Sequence, residues 1–192
     1  MLYANLLSGN FLQEWELQYI FEEPDGQCIC GHKPITERCI ISNKSTGKEL
    51  GNCSDFHMSK SETVLNFAFV HVEVGNVCVQ RFGGEISKLS RSSFAALKRI
   101  RLNPVSRRAN VALINLAFRR GVINIAGRNM YQDSWRKRYL TKAQNKYLVG
   151  MNEQILFAFG HSPRVCTKCA RHVYAKKSQR GNAYYACCGS LQ

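Results

Sequence analysis

The sequence predicts an α+β protein in three parts, and three observations predict it. Two groups of cysteines stand at knuckle-like spacings, one towards each end of the 192-residue chain. The first part is rich in strand-forming residues separated by turn residues. The middle part combines a helical apolar period with a nearly unopposed block of cations. The expected boundaries are 1–85 for a mixed β module, 86–160 for a basic helical segment, and 161–192 for a short, polar, Gly-containing segment with its own cysteines.

In the first part, "EWELQYIFEE" at 14–23 reads as a strand. "RCIISNKSTGKEL" reads as a second strand entering a turn at Ser45-Thr46-Gly47-Lys48, where glycine tolerates the positive φ of a hairpin. Residues 52–74 read as an inserted loop followed by the strand "VLNFAFVHVEV". Cys53, His57 and His71 fall in or beside this stretch and read as structural or solvent-facing.

Between the first two strands, "CICGHKPITERC" sets Cys28, Cys30 and His32 on a tight turn closed by Gly31, with Cys39 at the mouth of the next strand. Cys78 follows the Gly-Asn turn of "VEVGNVCVQRF", just before a segment able to start a helix. Knuckle, hairpin, then a ligand near a helix start is the order of a treble-clef zinc fold. Tetrahedral zinc takes four nitrogen or sulfur ligands, and a site with all four from protein is structural. Five candidates, Cys28, Cys30, His32, Cys39 and Cys78, compete for four places. His32 is the one to omit, because it can hydrogen-bond across the knuckle instead.

The middle part has readable punctuation. Leu89, Phe94, Leu97 and Ile100 stripe a helix that ends before Pro104. Ser106 is positioned to cap a second helix running through Phe118, with Ala109, Ala112, Leu113, Leu116 and Ala117 inward. Gly121 after "FRR" reads as its stop. Thr141 to Gln144, "TKAQ", is a capping box, and Leu140 can staple the start. Tyr147, Leu148, Met151, Ile155, Leu156 and Phe159 then stripe a helix that stops at Gly160.

In the last part, Cys166 and Cys169 have knuckle spacing, and Cys187 and Cys188 follow a stretch that reads as strand, Gly-containing turn, strand. That is the order of a zinc ribbon. Adjacent cysteines are awkward there, because neighbouring strand side chains point to opposite faces. The fourth ligand is Cys188, His172 or His161. About two zinc ions per chain are expected. A redox C-x-x-C centre wants a helix after it, and here the sequence continues as strand.

Charge divides the chain as sharply as the elements do. Residues 88–146 hold fifteen Lys and Arg against one acid, Asp133, whereas residues 1–87 hold six against eleven. A block of one sign attracts polyanions. Arg99, Arg101, Arg107, Arg108, Arg119, Arg120, Arg128, Arg136, Lys137 and Arg138 are the candidate phosphate contacts, and Trp135 and Tyr139 the candidate stacking platforms. The chain has no P-loop, no G-x-S-x-G elbow and no H-E-x-x-H. A two-metal nuclease needs several converging carboxylates, and the basic segment offers only Asp133. Binding is therefore favoured over catalysis, with a metal-dependent nuclease as the lesser alternative. No apolar run approaches the roughly 18–20 residues of a membrane helix. The first fifteen residues lack a basic start before an apolar stretch, so a cytoplasmic chain with reduced thiols is expected.

The segments "CICGH", "RCIISN", "STG" and "VGNVCVQRF", together with "DSWRKRYLT", "CTKC" and "YYAC", resemble a group of small uncharacterised proteins of bacteriophages and prophages. The resemblance covers most of the chain from Trp15 onward. The insertion at 52–74 and the adjacent Cys187-Cys188 depart from the group's pattern. The resemblance implies a setting in the host cytoplasm, acting on replication, transcription or host defence. It leaves two partners open: nucleic acid, DNA or RNA, or an acidic or nucleic-acid-binding host protein of an anti-defence interaction.

Overall fold

The computed structural model describes residues 15–28, 30–43, 72–135, 137–166, 172–178, 180–187 and 190–191. The chain is mixed α and β and forms two compact units, 1–91 and 92–192.

The first unit is built on a three-stranded antiparallel sheet in the order β1 (Trp15–Gly26), β2 (Ile35–Asn43), β3 (Val72–Gly75). Both strands expected at 14–23 and from Arg38 onward are present, and the Gly-Asn turn follows β3. The turn expected at 45–48 and most of the inserted segment lie outside the described residues. Register shifts interrupt β1 after Leu17 and again after Glu22. Such irregularities break strict alternation, and the residues from Leu17 to Phe21 are all buried. The one polar member, Gln18, donates its amide N–H to the Ser42 hydroxyl. Trp15 packs edge-on against Phe82, with ring centroids 5.4 Å apart.

Arg38, in the central strand, spans the sheet. Its guanidinium donates to Glu23 at 2.8 Å and to Glu73, and lies 4.8 Å from the centre of the Phe21 ring. A planar fork suits two carboxylates at once. Cys39 is one residue further along β2, paired with Ile20 on one side and Val74 on the other. All three are fully buried.

After β3, the Asn76 amide donates to Glu37 at 2.5 Å and its carbonyl accepts from the Ser90 hydroxyl at 2.9 Å. A 3-10 turn, Cys78–Phe82, follows and leads into helix α1 (Gly84–Leu102). Ser90 on α1 also touches the Cys39 sulfur at 3.1 Å.

The second unit contains the end of α1, then α2 (Val111–Arg119), α3 (Ile125–Trp135) and α4 (Lys142–Phe159), followed by short antiparallel strand pairs. α1 ends before Pro104 as expected. The cap of α2 is a correction: Asn110, not Ser106, holds the helix start. The Asn110 carbonyl accepts the Leu113 N–H at 3.0 Å, and its amide donates to the Ser92 carbonyl at 2.8 Å. Ser106 instead sits in a turn where its own N–H donates to Asn103. Asparagine prevails because its side chain satisfies the helix and a distant carbonyl together. Gly121, at φ +65°, ends α2. α3 is a separate helix that the sequence punctuation did not single out. Its start is held by Asn124, which accepts the Gly127 N–H at 2.8 Å. The Thr141–Gln144 capping box is present in both halves.

A single buried side chain ties this unit together. The Tyr131 hydroxyl on α3 donates to the Asn152 carbonyl on α4. The Asn152 amide donates in turn to the backbone carbonyls of Pro104 at 2.6 Å and Arg107 at 2.9 Å. The α1–α2 connection, α3 and α4 thus meet on one amide. Arg108 adds a further tie by donating to the Ser134 carbonyl. Beyond α4, Cys166, Val173, Ala175 and Tyr185 form a small buried cluster against Phe157. β4 (Lys176–Lys177) and β5 (Ala183–Tyr184) pair across a Gly181 turn, which matches the expected strand–turn–strand order.

Burial makes the hub and the core thiol open to test. Replacing Tyr131 with Phe leaves the Asn152 carbonyl without this donor, so stability should fall by about 1–3 kcal/mol. Denaturant midpoints of the two proteins check this, and equal midpoints would contradict the hub. A second expectation concerns alkali. Burial pushes the Cys39 thiol from 9.0 up to about 12 and the Tyr131 hydroxyl from 10.0 up to about 12. Both folded values are raised, so the stabilisation is intact below the unfolded values and is lost as pH rises through the folded ones. Urea stability should decline between about pH 9 and 12, and Cys39→Val should flatten the early part of that decline. A pH-independent midpoint across this window would contradict it.

Candidate metal centre and cationic surface

The knuckle forms by backbone geometry. The Cys28 N–H donates to the His32 carbonyl at 3.1 Å, and the Gly31 N–H to the Cys28 carbonyl at 2.8 Å. The turn needs φ +86° at residue 31, which glycine adopts without strain. Cys28 and Cys30 are thereby aimed together. Cys78 comes from the opposite side, held by the turn after β3 at the start of the 3-10 segment.

The three sulfur atoms lie within 4.8 Å of one another, close enough to hold a metal ion. Cys30 and Cys78 approach to 3.4 Å, well beyond the roughly 2.05 Å of a disulfide bond. Thiolates around one tetrahedral ion at about 2.3 Å stand about 3.8 Å apart, so the spacing suits a metal. The Gly75 N–H donates to the Cys28 sulfur at 3.4 Å. Such a bond orients a ligand and offsets its negative charge.

The thiols differ in how readily they ionise. Burial acts to raise Cys30, but the His32 backbone and the Cys78 and Cys28 thiols outweigh it and hold Cys30 below the ordinary value. Cys78 is pushed up to about 12 by burial and by the neighbouring Cys30 and Cys28. A divalent ion would override this difference, because binding displaces the thiol protons.

Among the described residues, no other His, Cys, Asp or Glu joins this group. Cys39, expected in the closed set, turns its sulfur to Ser90 in the core. His32 follows the knuckle with an exposed side chain. In the C-terminal group, Cys166 is buried among Val173, Ala175 and Tyr185. Cys169, Cys188 and the side chain of Cys187 lie outside the described residues. His161, offered as a substitute ligand, stacks on Phe157 and shares a 2.6 Å hydrogen bond with the Phe157 carbonyl through Nδ1.

The candidate phosphate contacts divide by role. Arg99 and Arg101 near the end of α1, Arg107 before α2, Arg119 at the end of α2, and Lys137 and Arg138 after α3 are all exposed. Tyr139 is 81% exposed, with the Arg138 guanidinium 5.7 Å from its ring centre. Three others are half-buried and serve the fold. Arg108 donates to the Ser134 carbonyl. Arg128 donates to Asn115 at 3.2 Å and lies 5.0 Å from the Phe118 ring centre. Arg120 lies 5.8 Å from that of Tyr174. Trp135 is half-buried at the end of α3, and Arg136 lies outside the described residues. Sequence reasoning did not find Asn152, and no local signal marks it; Tyr131, which in the sequence reads as one of the aromatic residues interleaved with the cations, is fully buried. No helix among the described residues is long and apolar enough to cross a membrane.

Comparison with protein-family models, with curated proteins and with solved structures finds no match for this chain.

Proposed function

We propose that the chain is a zinc-stapled nucleic-acid-binding protein that acts without catalysis. The observation that carries the reading is the block at 88–146, with its fifteen cations against one acid, of which Arg99, Arg101, Arg107, Arg119, Lys137 and Arg138 are exposed. Surface cations gather phosphates by releasing counterions, and an exposed ring such as Tyr139 offers a stacking platform. Zinc enters as a staple in the first unit, with Cys28, Cys30 and Cys78 as thiolate ligands; because Cys39 turns its sulfur to Ser90 in the core, the fourth place passes to His32, the remaining one of the five candidates, whose exposed side chain would have to turn in to the metal. A second zinc on Cys166, Cys169, Cys187 and Cys188 completes the expected pair. The phage-like motifs imply a setting in a host cytoplasm, acting on host or phage nucleic acid.

One observation favours a second reading. Leu102 is 86% exposed and Val105 58% exposed, and Arg99, Arg101 and Arg107 stand beside them in the chain. Apolar side chains among arginines are a composition suited to a protein partner, here an acidic or nucleic-acid-binding host protein of a defence complex.

Metal content tests the staple. Elemental analysis of protein purified without chelator should give about two zinc ions per chain. Cys78→Ser should remove one equivalent, and Cys39→Val should remove none. Less than one zinc per chain, with all nine thiols titrating freely in the native state, would contradict it.

Charge reversal tests the binding. Arg107→Glu with Arg119→Glu should weaken binding alike across sequences. It should also reduce the slope of log affinity against log salt by roughly 0.7–0.9 for each phosphate that is no longer engaged. Zinc content and thermal stability should stay unchanged. Arg108→Glu should instead destabilise the fold. Undetectable binding to DNA and RNA at low salt would overturn the reading. A stoichiometric complex with an acidic protein, abolished in Leu102→Asp, would then establish the second one.

A further inference from the structure

The geometry points to α3 as a helix that reads the major groove of duplex DNA, with the end of α2 and the segment after α3 clamping the phosphates on either side. This inference rests on the nucleic-acid reading above and names the ligand class and the face that meets it.

α2 and α3 are two short helices joined by Arg120–Asn124, with Gly121 at φ +65° turning the chain and Asn124 capping the second helix. A pair of helices joined by a short glycine-containing turn has the chain order of a helix-turn-helix unit, which places its second helix in the major groove of DNA. The pair is braced from within. Arg128 on α3 reaches back to Asn115 and Phe118 of α2.

α3 has two distinct faces. Gly127, Tyr131 and Ser134, at helical spacing, are buried. At Gly127 the Met151 sulfur lies 2.8 Å from where a Cβ would stand, so a larger side chain there would require Met151 to move. Ile125, Ala126, Asn129 and Asp133 form the exposed stripe, with Gln132 half-exposed at its edge. In a segment so rich in arginine and lysine, this stripe carries no cation among the described residues.

The cations stand at the ends instead: Arg119 closes α2, and Lys137 and Arg138 follow α3. That segregation matches the division of labour on DNA. Charged groups hold phosphates and fix register, while amides, a carboxylate and small apolar groups address base edges. Asn and Gln pair with adenine, Asp accepts from cytosine N4, and apolar groups meet the thymine methyl. The stripe from Ile125 to Asp133 spans about 12 Å at 1.5 Å per residue, which covers about three or four base pairs. The deep, narrow major groove of A-form RNA does not admit side chains for such reading, so the ligand is B-form DNA.

The test uses the full-length, zinc-loaded chain and a library of random duplexes, followed by affinity measurement on the enriched sequence and on a scrambled duplex. Selection should enrich a core of about three or four base pairs. Asn129→Ala and Asp133→Ala should each lower the preference for that core over the scrambled duplex by about fivefold to a hundredfold. For Asn129→Ala, affinity for the scrambled duplex, its salt slope and the thermal midpoint should not change; Asp133→Ala, which removes a negative charge from the DNA-facing stripe, should leave the midpoint unchanged and bind the scrambled duplex no more weakly. Both positions are exposed, so loss of fold is not expected to confuse the result, and Arg119→Glu gives the opposite pattern, weakening both duplexes alike. Binding at low salt with no enriched core, or with a preference for RNA or single strands, would overturn this inference and leave the broader reading standing. An enriched core whose preference both substitutions leave intact would also overturn it. No binding to any nucleic acid would overturn both.

Discussion

The first unit is organised around the meeting of three sulfur atoms. Cys28 and Cys30 arrive on a turn closed by Gly31 at φ +86°, and Cys78 arrives from the turn after β3, at the same end of the sheet. The described residues between them set that approach. The sheet fixes the distance from knuckle to β3, and the Asn76 contacts to Glu37 and Ser90 fix the turn that delivers Cys78 to the start of α1. Against burial, hydrogen bonds hold Cys30 below its ordinary value, while burial and the neighbouring thiols raise Cys78. Thiolates this close together would repel one another, and a divalent cation between them turns that repulsion into attraction, which is the physical argument for a metal there.

The second unit depends on a different kind of constraint. Its buried amide, Asn152, answers one hydroxyl and two backbone carbonyls that no regular element satisfies. Leaving such groups unpaired in a core is costly, so the hub specifies one arrangement of the helices. The arginines separate into two populations on the same principle. Arg108, Arg120 and Arg128 are half-buried against carbonyls, amides and rings, whereas Arg99, Arg101, Arg107, Arg119, Lys137 and Arg138 are exposed. Net charge alone overstates the cations available to a partner, and burial corrects it.

Local signals were legible in the sequence. The strands at Trp15 and Ile35 show in their strand-forming composition, and the end of α1 before Pro104, the capping box at Thr141 and the knuckle at Cys28 rest on interactions within a few residues. What escaped was nonlocal. Which way Cys39 points depends on a strand register set by pairing with Ile20 and Val74, far away in sequence. The true cap of α2 is Asn110, because its amide also finds Ser92, 18 residues back. α3 carries few apolar residues, and its inward face uses Gly127 and Ser134, so its periodicity is faint. Asn152 reads as an ordinary polar residue until the carbonyls of Pro104 and Arg107 are brought to it.

X-ray absorption at the zinc edge of the loaded protein tests the central claim most directly. A metal held by Cys28, Cys30 and Cys78 predicts a shell dominated by sulfur at about 2.3 Å, with a nitrogen at about 2.0–2.1 Å that His32→Ala removes. The nitrogen-containing contribution should vanish together with one zinc equivalent in Cys78→Ser and persist in Cys39→Val. A shell of nitrogen and oxygen alone, or one unchanged by Cys78→Ser, would contradict the account.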